Sequence, residues 1–192
     1  MKKIILLSAF LLAGSQLLLM AQKQFLLSEK DSKIVVEGTS SLHDWDMNLE
    51  KMSGQVDIKG EELLPGNFSD IYFEAKALDL ISHSSIMDKK AHDALLTNKY
   101  PNISFKMTAV QNIKAQDGSF AADIAGVLSV AGKSRNIVLR AIVVYSDSSY
   151  IAATGNIEMK MTDFGITPPT AILGTLKTGD EITVKIDLKF RV

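Results

Sequence analysis

The sequence predicts an all-β fold built as an antiparallel meander, and three observations predict it. Apolar residues recur at every second position, most plainly where Ile182, Val184, Ile186, Leu188 and Phe190 alternate with Thr183, Lys185, Asp187, Lys189 and Arg191. Turn-forming clusters divide such runs at hairpin-length intervals. No strand-helix alternation is present, which argues against a parallel sheet. A meander of this kind ends as a barrel or a sandwich, and closing into a barrel removes the edges that invite aggregation.

Taken in order, residues 1 to 21 run from Lys2-Lys3 through an almost unbroken apolar stretch to the small Ala21, the pattern of a cleaved secretory signal. Gly14, Ser15 and Gln16 interrupt it, which disfavours a membrane anchor. Residues 22 to 192 then form one domain, for which a 46% apolar content is ample. Periodicity of two marks strands at Val56/Ile58, Ile71/Phe73/Ala75/Ala77, Ile103/Phe105/Met107/Ala109, Phe120 to Val130, 135 to 145, 149 to 161 and 181 to 192. The expected turns are Ser53-Gly54, Pro65-Gly66-Asn67, Asp117-Gly118, Ala131-Gly132-Lys133, Ser146-Asp147-Ser148 and Thr178-Gly179-Asp180. Between residues 84 and 101 the period changes. Ser85 with Asp88 resembles an N-terminal cap, and Met87, Ala91, Ala94 and Leu95 fall at helical spacing, so a short helix is expected over one barrel end. It should stop before Tyr100-Pro101. Residues 164 to 180 are apolar for a loop and either plug a barrel mouth or form a packed connection.

Charge and cysteine content narrow the function classes. Without Lys2 and Lys3, 19 basic residues face 22 acidic ones, a net charge of about −3, which disfavours nucleic acid as a partner. The chain has no cysteine, so neither a disulfide nor a cysteine-linked lipid anchor can form. A periplasmic or secreted location is expected.

The stretch TSSLHDWDMNLE, residues 39 to 50, places a His-Asp pair before the sole tryptophan. If residues 42 to 50 form a strand, His43, Trp45, Met47 and Leu49 share one face, and Asp44 falls on the other. The pair is then split unless a bulge intervenes, and His43 reads as a wall residue. A three-histidine metal site from His43, His83 and His92 would be the sharpest rival, but the spacings carry no ligand motif, and His92 and Asp93 fall on the helix's polar flank. No GxSxG nucleophile motif is present, and Glu61-Glu62 lie in a loop.

Several inward faces mix bulky and small residues, as in Phe73 with Ala75 and Ala77, or Phe120 with Ala122. A barrel of about eight strands is wide enough to be filled by its side chains or to hold one ligand, and small residues favour a cavity. The expected apolar lining is Trp45, Phe73, Phe105, Met107, Phe120, Ile124 and Leu128, with His43 as a polar contact.

Four stretches in order resemble the YceI-like family of secreted, lipocalin-like, polyisoprenoid-binding proteins: SSLHDWD; MDKKAHDALLTNKYPNISFKMTAV at 87 to 110; AGVLSVAGKSRNIVLRAIV at 125 to 143; and MTDFGI with the terminal strand. The resemblance runs from about residue 33 to 192. It implies an eight-stranded antiparallel lipocalin-like barrel with one short α-helix near an end, and a pore that holds an isoprenoid such as a quinone or polyprenyl lipid. Where many members have Arg-Asp-x-His-Leu, this chain reads Met87-Asp88-Lys89-Lys90-Ala91-His92, so Asp88 matches and the arginine does not.

The leading expectation is therefore a non-enzymatic carrier or store for a long-chain lipid, using no cofactor or metal, with room for transient membrane contact. The alternatives are a barrel enzyme that uses His43 on a small apolar substrate, and a solid-core module that meets another envelope protein. Oligomeric state is left open.

Overall fold

Alternation of apolar and polar residues is realised as twelve strands among the described residues. They are β1 (Gln22–Leu27), β2 (Lys33–Ser40), β3 (Trp45–Leu49), β4 (Ser53–Lys59), β5 (Phe68–Lys76), β6 (Leu80–Ile81), β7 (Asn102–Gln116), β8 (Ser119–Val130), β9 (Lys133–Ser146), β10 (Tyr150–Lys160), β11 (Thr170–Ala171) and β12 (Leu176–Arg191), with helix α1 at Ser85–Ala94. The structure, a computed structural model, describes residues 22–60, 63–64, 66–116, 118–146, 149–171 and 175–192. The expectations for residues 1 to 21, for Glu61-Glu62 and for Ile172 and Leu173 lie outside the described residues.

All pairings are antiparallel, and β1-β4-β5-β7-β8-β9-β10-β12 forms a ring that closes where Leu26 and Leu27 pair with Arg191 and Phe190. The result is an eight-stranded antiparallel barrel with extra strands. The extra strands continue its first three staves. β1 and β2 are separated by the 3-10 turn Glu29–Asp31, β3 and β4 by residues 50 to 52, and β5 and β6 by the 3-10 turn Ala77–Asp79. β12 accordingly pairs with β2 over most of one edge and with β1 at its end. Backbone groups at the breaks stay satisfied: Ser28 N donates to Lys189 O (2.8 Å) and Glu50 N to Asp79 O (2.9 Å).

Several boundaries differ from the sequence expectation for identifiable reasons. Ser53-Gly54 is not a turn. It opens β4, where Gly54 passes the Tyr72 carbonyl so closely that a Cβ would lie 2.9 Å away. Thr178-Gly179-Asp180 lies inside β12, as an irregularity in its pairing with β2. Local turn chemistry reads the same in a bulge as in a turn. Residues 22 to 40, which show no clean alternation, form β1 and β2. Ala131-Gly132 does make the expected hairpin, both residues having positive φ (49° and 74°) between the paired Val130 and Lys133.

Helix α1 is capped one residue earlier than expected. The Ser84 hydroxyl, not that of Ser85, accepts from Met87 N (3.4 Å). Asp88 instead fastens the helix to the strand before it, accepting from both Ser82 N and Ser82 Oγ at 2.7 Å. Those bonds hold its carboxyl below the ordinary 3.8, so they add stability above that pH and lose it as pH falls through the folded-state value. The stability difference between wild type and Asp88→Asn, read from urea midpoints across pH, is expected to be full above about pH 5 and to shrink progressively below it.

Candidate functional site

Inside the barrel the side chains divide into two levels. At the end away from α1, Phe25, Ile58 and Ile151 are fully buried, and Phe120, Phe190, Val56, Ala141 and Val143 pack with them. The Phe68 ring meets Phe120 edge-on at 5.4 Å. This level is the more tightly packed of the two, although Val56, Phe68, Phe120, Ala141, Val143, Ile151 and Phe190 also border the cavity described next. At the helix end the wall residues Val36, Phe73, Leu128, Met159, Ile182 and Val184 are only half-buried although they face inward, because they border space.

That space is a cavity of about 670 Å³ with an almost entirely apolar lining. Ile182, Val184, Ile186, Leu188 and Phe190, the run in which the alternation is clearest, supply one side of it. Helix α1 contributes Met87, Ala91, Ala94 and Leu95, the apolar stripe of its 3.6 period, as a partial roof. β9 and β10 stop pairing at Arg140–Asn156. Beyond that point Phe164 and Ile166, from the 3-10 turn Met161–Phe164 and the residues after it, are buried in the upper cluster. The described part of residues 164 to 180 therefore helps close the helix end, with Pro169, Leu176 and Thr178 on the cavity wall. Of the polar lining residues, His43, Ser84, Lys90 and Thr178 gather at this end and mark the mouth, while Tyr72 and Thr154 belong to the wall strands β5 and β10.

Two glycines explain why aromatic residues line this space without filling it. The Trp45 indole lies flat over Gly38 on the paired strand, so closely that a Cβ there would sit 2.3 Å from its ring. Its Nε1 donates to Thr39 O (2.9 Å) and fixes that pose. The Phe105 ring covers Gly126 in the same way, with a Cβ position 2.3 Å from the ring edge. Each glycine lets a large ring lie against the wall instead of across the lumen.

Of the residues expected to line the interior, Trp45, Phe73, Phe105, Phe120, Ile124 and Leu128 border the cavity. Met107 does not. It pairs with Gly126 and packs against the tightly packed level, and the bulge between Met107 and Ala109 makes Val110, opposite Ile124, the next inward residue. Ala109 thereby loses the inward position that simple alternation gave it. His43 lies before β3 rather than in it, is exposed at the mouth, and its Nδ1 donates to Asp44 O (2.6 Å). Asp44 borders a polar groove outside the wall, so the two side chains are separated as alternation implied. His83 borders that same outer groove. His92 is not on a solvated flank; it is half-buried, and its Nε2 donates to Leu80 O (2.8 Å), joining α1 to β6. Among the described residues no three potential metal-ligating side chains come together.

Sequence reasoning missed Ile34 and Val36, because the strand carrying them lacked a clean period, and it missed the glycine beds. The usable signal was a glycine inside a strand pattern, Gly38 or Gly126, which marks close approach of another group.

The geometry is shared with known proteins. The barrel of Burkholderia cenocepacia BcnA superposes with a TM-score of 0.68 at 15% identity, over 85% of this chain and 98% of that one. A polyisoprenoid binding domain from Saccharophagus degradans, described as implicated in plant cell wall breakdown, gives 0.68 at 12% identity over 88% and 98%. The Campylobacter jejuni YCEI protein gives 0.59 at 21% identity over 76% and 84%. At these identities the likeness shows the fold. No curated protein matches the chain. A sequence model of the YceI-like domain matches residues 25–190, and the chain belongs to that family.

Proposed function

We propose that the protein is a non-enzymatic carrier or store that holds the hydrocarbon tail of an isoprenoid, such as a quinone or polyprenyl lipid, in this cavity. The observation that carries the reading is the combination of a floor of packed aromatics, an almost entirely apolar wall and a cluster of polar residues, His43, Ser84, Lys90 and Thr178, at the mouth. Such a site accepts a chain end-on and leaves its head near solvent. The Saccharophagus degradans domain of the same fold, named for polyisoprenoid binding, supports the ligand class. Trp45, Phe73, Phe105, Phe120, Ile124 and Leu128 are the proposed tail contacts, with His43 available to the head. The signal-like residues 1 to 21 support a periplasmic or secreted location.

Size and energy agree with this assignment. Taking water's share of liquid volume, roughly 30 Å³, as the scale for one heavy atom, 670 Å³ holds on the order of 20 atoms, about four isoprene units. At about 0.8 kcal/mol per buried methylene, a tail of that length is held tightly without an ion pair. Catalysis by His43 has less support, since its ring bonds to the Asp44 backbone carbonyl and the neighbouring Ser40 hydroxyl bonds the His43 backbone and not the ring.

Trp45, the chain's sole tryptophan, stands on the cavity wall and serves as a reporter. Titration with a short-chain isoprenoid quinone is expected to quench its emission saturably at one equivalent per chain, and unlabelled geranylgeraniol should reverse the quenching. Emission that never saturates, or that geranylgeraniol does not restore, counts against the reading.

A further inference from the structure

We propose that the rim of the cavity mouth is a docking surface for an anionic phospholipid bilayer; this rests on the cavity being the lipid site. A single exposed leucine or isoleucine means little. Here Ile86 is the most exposed large apolar side chain among the described residues (71%), and Leu42 (66%) is exceeded otherwise only by the chain-terminal Val192. Both stand at the same mouth. The turn that carries Leu42 is fastened to β12 by Ser41 N to Lys177 O (2.9 Å) and Lys177 N to Ser41 Oγ (3.1 Å). Lys177 pairs with Thr170, whose carbonyl accepts from Lys90 Nζ (2.7 Å), and Lys90 lies one helical turn beyond Ile86. A continuous chain of contacts therefore joins the two apolar projections around one rim.

The charge of that rim matches an anionic surface. Lys89 and Lys90 follow Ile86 at i+3 and i+4, on the same side of α1, and Lys177 adjoins Leu42 through Ser41. None of the three forms an ion pair among the described residues. Of the carboxylates beside this rim, Asp88 is engaged by Ser82 and Asp44 borders the outer groove, which leaves Asp93, one turn on from Lys89, as the acidic residue of α1 set against its two lysines. Apolar tips flanked by lysines are the features that bind an anionic interface, the tips entering the acyl boundary and the cations meeting lipid phosphates. Docked in this way, the mouth would open toward the acyl chains, and a tail could pass from bilayer to barrel without crossing water.

The test is flotation with phosphatidylcholine vesicles, with and without phosphatidylglycerol, run beside geranylgeraniol uptake from free solution. Wild type and variants carry the same N-terminal segment, so differences between them report the rim. Wild type is expected to float with phosphatidylglycerol vesicles, less so as salt is raised. Leu42→Ser should weaken flotation about tenfold, and Lys89→Glu with Lys177→Glu about tenfold or more on phosphatidylglycerol vesicles alone. None of these three residues lines the cavity, so uptake from solution should be unchanged. Wild type that stays behind, or variants that float as well as it does, would overturn the docking surface even where uptake is normal. Flotation without uptake would instead overturn the carrier reading and leave the rim standing.

Discussion

Phe25→Ala is expected to destabilise the barrel by about 3–5 kcal/mol, the cost of removing a fully buried aromatic and leaving a cavity where neighbours cannot collapse. Phe25 has no exposed surface, sits opposite Val56 on the paired strand, and belongs to the tightly packed level beneath the cavity. A domain of this kind has a total stability of about 5–15 kcal/mol, so the loss should show as a large drop in the urea midpoint. Phe105→Ala makes the contrast. Its ring is half-buried and faces the cavity over Gly126, so fewer contacts are lost, and a cost on the order of half as much is expected. That variant should fold and accept bulkier chains. Equal costs at the two sites would show that the two levels are not distinct.

Gly38→Ala is expected to weaken ligand binding about a thousandfold while leaving the sheet intact. The new methyl would lie 2.3 to 2.9 Å from three atoms of the Trp45 indole, and no other group approaches so closely. Because Gly38 faces inward with Val36, the ring must leave the wall toward the lumen and lose its bond to Thr39 O. A ring standing there displaces about one isoprene unit, and five carbons at about 0.8 kcal/mol each give about 4 kcal/mol, roughly a thousandfold in affinity. A shift of the tryptophan emission should accompany it. Removing the ring in the double variant Gly38→Ala, Trp45→Ala should restore uptake. Failure of that rescue would mean that the glycine acts through the backbone and not by bedding the ring.

The legibility of this fold in its sequence varied along the chain with the physics that sets each element. β12 and β8 were readable because one face of each is wetted and the other is not, which writes a period of two directly into residue type. β1 and β2 were not, because Lys23, Gln24 and Gly38 blur the contrast, and their strand character comes from pairing with β4 and β12, far away in sequence. Gly54 and Gly179 show the same limit in reverse, since a glycine that permits close backbone approach looks like one that permits a turn. The wall residues followed from parity until the bulge at Met107 reset it, and no local pattern announces a bulge. The family resemblance supplied strand number and ligand class, which periodicity alone left open. Alternation implied the separation of the His43 and Asp44 side chains but placed His43 on the apolar wall, and it is exposed because β3 begins only at Trp45.

Organic extraction of the protein purified from its own cells, followed by mass spectrometry, tests whether the space above the packed aromatic floor is a hydrocarbon site. One isoprenoid tail per chain is expected in the extract, and markedly less in the extract of the Gly38→Ala protein. An extract free of lipid, from protein that also takes up no added quinone or polyprenol, would contradict that assignment.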